Sequence, residues 1–185
     1  MQNQEIEIFY PTSVSAWREW LEQNHTTQQS IWLMYYTKKS GKPTISWSEA
    51  VDVALCYGWI DSKHVKIDTE TSRQYFTKRK AKSTWSRVNK DKIEQLIADG
   101  LMTEAGLKSV EIAKQNGSWT LLDSIEALEI PEILELAFSK NEGSKQKFQA
   151  QSKSKQKLML YGLKAAKTIP TQEKRIREII DALSN

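Results

Sequence analysis

The sequence predicts an α+β fold, mostly helical, with a small antiparallel sheet near residues 31–37, 59–67 and 72–78. Three observations predict it. In IWLMYYT, Ile31, Leu33 and Tyr35 alternate with Trp32, Met34 and Tyr36, so both faces are apolar, as in a strand covered on both sides. The runs Trp59–Ile67 and Ser72–Lys78 flank Asp68-Thr69-Glu70-Thr71, which reads as the turn of a hairpin. Most of the remaining chain carries apolar residues at helical spacing between capping and stop residues. Trp119 is the last of the seven tryptophans, and that shift in composition divides the chain. Residues 1–120 form an α+β core domain in this reading, and residues 121–185 a helical C-terminal subdomain packed on it.

Each element follows from local chemistry. Thr12 or Ser13 can cap a helix by accepting backbone N–H bonds, and Trp17, Trp20 and Leu21 fall on one face of it. That helix should end near Asn24-His25. Ser40-Gly41-Lys42-Pro43 breaks the strand that follows. Ser46 and Glu49 fit a capping box, opening a helix with Ala50, Val53, Ala54 and Tyr57 on one stripe and Gly58 as its stop. With a simple four-residue hairpin loop, Asp61 lies opposite Lys78 and Val65 opposite Gln74, and Ile60, His64, Tyr75 and Arg79 gather on the other face. One residue of slip exchanges these faces.

Trp85–Asp99 is the next helix, and Thr103 caps another through about Gln115. In the final third, Pro131 suits a first helical turn. Leu158, Tyr161 and Ala165 form a stripe, and Thr171 caps a last helix that buries Ile176, Ile179 and Ile180.

Composition narrows the function classes. No apolar run approaches the ~18–20 residues that span a bilayer. MQNQEIEIFYPTS lacks the basic and apolar regions of a secretory signal, so a cytoplasmic location is expected. The single Cys56 excludes an intrachain disulfide and a cysteine-rich zinc site. Net charge is +4, unevenly spread: residues 62–90 carry nine basic and two acidic side chains, residues 91–137 three basic and ten acidic, and residues 138–185 eleven basic and four acidic. Such blocks either pair with one another or meet an anion. Neither a GxGxxG nor a GxxxxGK[ST] loop occurs, and no G-x-S-x-G element, so no cofactor and no familiar catalytic motif is implied.

The stretches ALCYGWIDS, YFTKRKAKSTWSRVN and LIADGLMTEAGLKSVEIAKQNGSW, together with the terminal AAKTIPTQEKRIREII, resemble the YdeI/OmpD-associated (bacteriocin-protection) family over nearly the whole chain. That resemblance implies a mixed helical and β fold, a shared pocket and a role in stress or bacteriocin resistance, without an assigned reaction. Two positions depart from the family pattern. Thr77-Lys78-Arg79 stands where the family has Thr-Pro-Arg, which restores a backbone N–H and adds a charge. Thr171-Gln172 stands for the family's Thr-Arg.

The leading candidate site gathers Trp59, Asp61, Arg79, Lys80, Lys82, Ser83, Trp85 and Asn89. Its cations suit a phosphate or carboxylate, and arginine can grip either with two parallel N–H bonds. Ser83 precedes a helix whose first N–H groups favour an anion, and Trp59 or Trp85 offers a flat wall for a ring. The plainer reading makes Asp61 an ion-pair partner of Lys78 or Arg79, with the tryptophans in the core. His64 could act as a base oriented by Asp61, but on a regular strand residues 61 and 64 face opposite ways unless a bulge intervenes. Cys56 reads as packing, and His25 as a partner of a helix end.

Beside the plain possibility of a structural or stress-protection protein acting through a partner surface, three functions remain open at this level. The first is binding of a small molecule or anion. The second is nucleic-acid binding through the basic blocks 62–90 and 138–185, with Tyr75 and Trp85 interleaved. The third is an enzyme on a small anionic substrate with Asp61 as its base.

Overall fold

The computed structural model describes residues 6–184. It forms two compact units, one running to Thr120 and the other from Leu121. The fold class is α+β.

The first unit contains β1 (Ile8–Phe9), α1 (Val14–Asn24), β2 (Ser30–Tyr36), α2 (Trp47–Cys56), β3 (Trp59–Lys66), β4 (Thr71–Lys78), α3 (Arg87–Ala98) and α4 (Glu104–Gln115). Its sheet has the order β1-β2-β4-β3. β1 pairs parallel with β2, while β2–β4 and β3–β4 are antiparallel, so the sheet is mixed. The extra strand escapes sequence reading because it is two residues long and Ile8 is exposed. β2 buries Ile31, Leu33 and Tyr35 on its inner face but leaves Trp32, Met34 and Tyr36 only half covered, so the strand is not enclosed on both sides.

Ser13 caps α1 by accepting from the Ala16 N–H, and the Ser46–Glu49 capping box opens α2 as its sequence predicts. Behind the sheet lies an aromatic core. Trp17 stacks on Trp20, and Trp17 and Trp20 meet Phe76 and Trp59 edge-on. Trp17 donates its indole N–H to the Ala50 carbonyl at 3.0 Å, so burying that ring strands no donor. Such side chains bury ~150–250 Å² each, the largest single contributions to a core of this size.

α4 meets the end of α2 at close range. Thr103, the cap of α4, sends both its backbone N–H and its hydroxyl to the Cys56 carbonyl, at 3.1 and 2.6 Å. Gly58 turns the chain away with φ +71°, which carries it from α2 directly into β3. Two motifs distant in sequence, ALCYGW and MTEAGL, thereby form one joint.

The second unit comprises α5 (Asp123–Glu126), α6 (Glu132–Ser139), α7 (Ser144–Ala150), α8 (Lys153–Lys164) and α9 (Ile169–Ser184) around Leu134, Phe138, Phe148, Leu160, Leu163, Ile179 and Leu183. Three local expectations are corrected here. Leu158, Tyr161 and Ala165 are exposed, and α8 instead buries Gln156, Leu160 and Leu163. The run LMLY places apolar groups on consecutive positions, so spacing alone could not choose the face. Pro131 is the N-cap of α6 rather than a first-turn residue. Thr171 does not cap α9, which begins two residues earlier; its hydroxyl meets that of Thr168 at 2.8 Å. α9 buries Ile179, while Ile176 and Ile180 are partly covered.

Candidate functional site

The β3–β4 hairpin decides where the predicted site residues go. Trp59 pairs with Lys78 and Asp61 with Phe76, and beyond a bulge His64 pairs with Gln74 and Val65 with Arg73. The expected Asp61–Lys78 and Val65–Gln74 register is therefore wrong by one to two residues. The extra residue between Asp61 and His64 also overturns the strand-parity argument. Both now pair with inward-facing positions of β4, so Asp61 and His64 share the inner face. The expected grouping of Ile60, His64, Tyr75 and Arg79 on the other face does not form, since His64, though exposed, is on the face of Asp61 and Arg79 lies past the end of β4.

That inner face opens into a cleft of about 1000 Å³, lined by residues that include Tyr35, Lys38, Trp47, Asp61, His64 and Gln74. Asp61 Oδ2 accepts from Trp47 Nε1 and from Gln74 Nε2, each at 2.8 Å. Neither hydrogen bond comes from a cation, so the ion pair with Lys78 or Arg79 is absent. Gln74 is buried, which holds this arrangement against exchange with water. The Tyr35 hydroxyl is also buried and has no hydrogen-bond partner. Burial, with the negative charge of Asp61, raises the Tyr35 pKa well above the ordinary phenol value.

A second cleft, of about 450 Å³, lies around the start of β3 and the end of β4. Its basic lining consists of His25, Lys78, Arg79, Lys80 and Lys108, and no carboxylate residue lines it. Lys78 donates its backbone N–H to the Gln29 carbonyl and its ammonium to the Thr26 carbonyl, at 3.1 and 2.6 Å. The N–H that a lysine supplies and a proline lacks is thus used.

Arg79 is clamped in three ways. Its backbone N–H donates to the Gly58 carbonyl, its Nη1 donates to the Thr84 carbonyl at 2.9 Å, and its guanidinium carbon sits 3.6 Å from the Trp85 ring centroid. Its Nε and Nη2, both shielded from water, have no partner. Those two N–H groups form the side-on fork that matches a carboxylate or phosphate edge. Burial lowers the Arg79 pKa to about 10, partly opposed by the charge of Asp61.

The expected eight-residue constellation is therefore divided. Asp61 belongs to the larger cleft, Arg79 and Lys80 to the cationic one. Trp59 and Trp85 are 0% and 1% exposed, so they are core residues and not walls for a ligand ring. Ser83 does not open a helix; its N–H closes a turn on the Lys80 carbonyl, and Ser86 caps α3 by accepting from the Asn89 N–H. Lys82, Ser83 and Asn89 line neither cleft. Tyr35, Trp47, Gln74, His25 and Lys108 were missed. A tryptophan inside the Ser46–Glu49 capping box was the one available signal, since the first turn of a capped helix is normally solvated.

Cys56 is buried, and burial pushes its thiol pKa up, as expected of a packing residue. His25 Nδ1 lies 2.9 Å from the Leu21 carbonyl at the end of α1. Among the described residues no His, Cys, Asp or Glu cluster could hold a metal ion, and no helix is long and apolar enough to cross a membrane.

Comparison with known proteins adds two matches. Residues 9–109 match the family described as a domain of unknown function, DUF8412. Residues 127–185 match the family described as Bacteriocin-protection, YdeI or OmpD-Associated. Neither a curated protein nor a solved structure matches the chain. The likeness to YdeI/OmpD-associated proteins is thus found over the C-terminal helices, while ALCYGWIDS and YFTKRKAKSTWSRVN fall inside the other match.

Proposed function

For a chain that belongs to the DUF8412 family, we propose the function of binding a small anionic ligand, a phosphate ester or carboxylate, in the Lys78–Arg79–Lys80 cleft. One observation carries this reading: the side-on fork of Arg79 is unpartnered while the rest of its guanidinium is held by Thr84 and Trp85. A buried donor without an acceptor costs roughly 1–3 kcal/mol, more when charged, and an oxyanion would remove that cost at both nitrogens. Lys78, Lys80 and Lys108 add a positive field without a competing carboxylate in the lining. Because the fork is shielded, binding requires side chains of the cleft wall to shift, and the wall residues Lys80 and Lys108 are exposed. A part in bacteriocin protection, which the description of the family matching residues 127–185 names, would be reached through this ligand.

The other readings draw less support. For nucleic acid, Trp85 is in the core, and Lys145 and Lys157 of the C-terminal basic block are paired with Glu135 and Glu126. For catalysis, the Asp61 oxygen Oδ2 already accepts two N–H groups, which suits holding more than proton abstraction.

Calorimetric titration with inorganic phosphate, pyrophosphate, citrate and a nucleoside diphosphate tests the proposal on wild type and Arg79→Lys. Binding by at least one anion, weakened about tenfold or more in the variant, is expected. Equal binding by both proteins, or none by wild type, overturns it.

A further inference from the structure

The larger cleft has features that the anion reading does not use. Trp47 is the first residue of α2 and is 51% exposed, yet its indole N–H is fixed on Asp61. An exposed ring usually moves among rotamers; this one is held with part of its surface free. Both hydrogen bonds to Asp61 arrive at Oδ2, so Oδ1 keeps its acceptor capacity. Tyr35, only 9% exposed, is among the residues that line the same cleft, and its hydroxyl, shielded from water, has no partner. That hydroxyl keeps its proton, for the reasons of burial and neighbouring charge given above, and becomes a donor to a ligand once side chains of the cleft wall shift.

We infer that the cleft between Tyr35, Trp47 and Asp61 is a second binding site, separate from that of Arg79, for a small planar heterocycle with adjoining donor and acceptor groups, of the nucleobase type. The Asp61 oxygen accepts from the ring's N–H or amino group, and the Tyr35 hydroxyl donates to the neighbouring carbonyl or ring nitrogen. The Trp47 face stacks on the ring, as aromatic side chains do on nucleobases. The cleft's volume of about 1000 Å³ accommodates a ring of this kind with room for a substituent. Lys38 and His64 also line it and would meet such a substituent rather than the ring. The bulge matters here, because it brings His64 onto the face that Asp61 occupies.

The requirement for both a donor and an acceptor sets this site apart from a simple apolar groove. A hydrocarbon ring would leave the Tyr35 hydroxyl and the Asp61 carboxylate unpaired on burial, a cost that a complementary heterocycle avoids.

The test is calorimetric titration with adenine, hypoxanthine, cytosine and uracil, alongside glucose as a non-planar polar ring and toluene as an apolar one. Proteins are wild type, Tyr35→Phe, Trp47→Leu and Arg79→Lys. Tyr35→Phe removes only an unpartnered hydroxyl, so it keeps the fold even if other changes at the site do not. At least one base should bind to wild type, about tenfold or more weaker to Tyr35→Phe and Trp47→Leu, and with unchanged affinity to Arg79→Lys. The last arm separates this site from the anion site, whose loss would leave base binding intact. Absence of binding by all four bases, tighter binding of glucose or toluene, or equal binding in Tyr35→Phe overturns the inference.

Discussion

A Cβ placed on Gly106 would stand 2.2 Å from the Cys56 carbonyl oxygen, closer than any side chain can sit without moving the backbone. Gly106 is the residue that lets α4 approach the end of α2, where Thr103 already bonds that same carbonyl. Gly106→Ala should therefore destabilise the protein by about 1–3 kcal/mol in equilibrium urea unfolding, as overpacking does. Gly162, also helical but with nothing within 4 Å of an added Cβ, gives the contrast. There the same change should be stabilising by roughly 0.5–1 kcal/mol, the ordinary helix preference for alanine.

Trp85 supports Arg79 as well as the core. Trp85→Ala should cost about 3–5 kcal/mol from lost burial. Trp85→Phe keeps a ring under the guanidinium and should lose much less, which the same unfolding measurement checks. If the two variants were equally unstable, the ring face would have no part in holding Arg79.

Lys78 ties the end of β4 to the segment before β2 through its backbone and its side chain. Lys78→Pro removes the N–H that Gln29 accepts and the ammonium that Thr26 accepts, both seen in the fold. A loss of about 1–2 kcal/mol is expected for the hydrogen bonds. Anion affinity should fall as well, since one cation leaves the cleft, and titration of the variant with pyrophosphate measures that directly.

Tyr57 gives a pH signature. Burial and the 2.6 Å hydrogen bond to Glu22 raise its pKa from 10.0 to about 12. The fold thus favours the protonated phenol, and the resulting stability is complete below the unfolded value. It is lost as pH rises from 10.0 through about 12. Unfolding free energies measured across that window should decline less steeply in Tyr57→Phe than in wild type.

Most helices were legible because their caps are local. Ser13, the Ser46–Glu49 box and Thr103 each satisfy N–H groups three residues away, and those spacings are visible in the chain. The sheet was legible in its three longer strands. What escaped was long-range or sub-residue in origin: the two-residue β1, the single extra residue between Asp61 and His64, and the face of α8 within a run of consecutive apolar residues. The candidate site suffered most from the bulge. Asp61, Arg79 and Lys80 were found from their charge and clustering, but the hairpin distributes them over two clefts. For Trp59 and Trp85 the sequence left a ligand wall and a core position both open, because their burial depends on partners such as Trp20 and Trp119, remote in sequence.

The measurement closest to the central claim is the Nε–H resonance of Arg79, assigned by its loss in Arg79→Lys and followed by heteronuclear NMR during titration with pyrophosphate. A saturable shift of this resonance, with the same midpoint as calorimetric binding, is the predicted result. Saturable binding of pyrophosphate that leaves the Arg79 Nε–H where it was in the free protein would contradict the account.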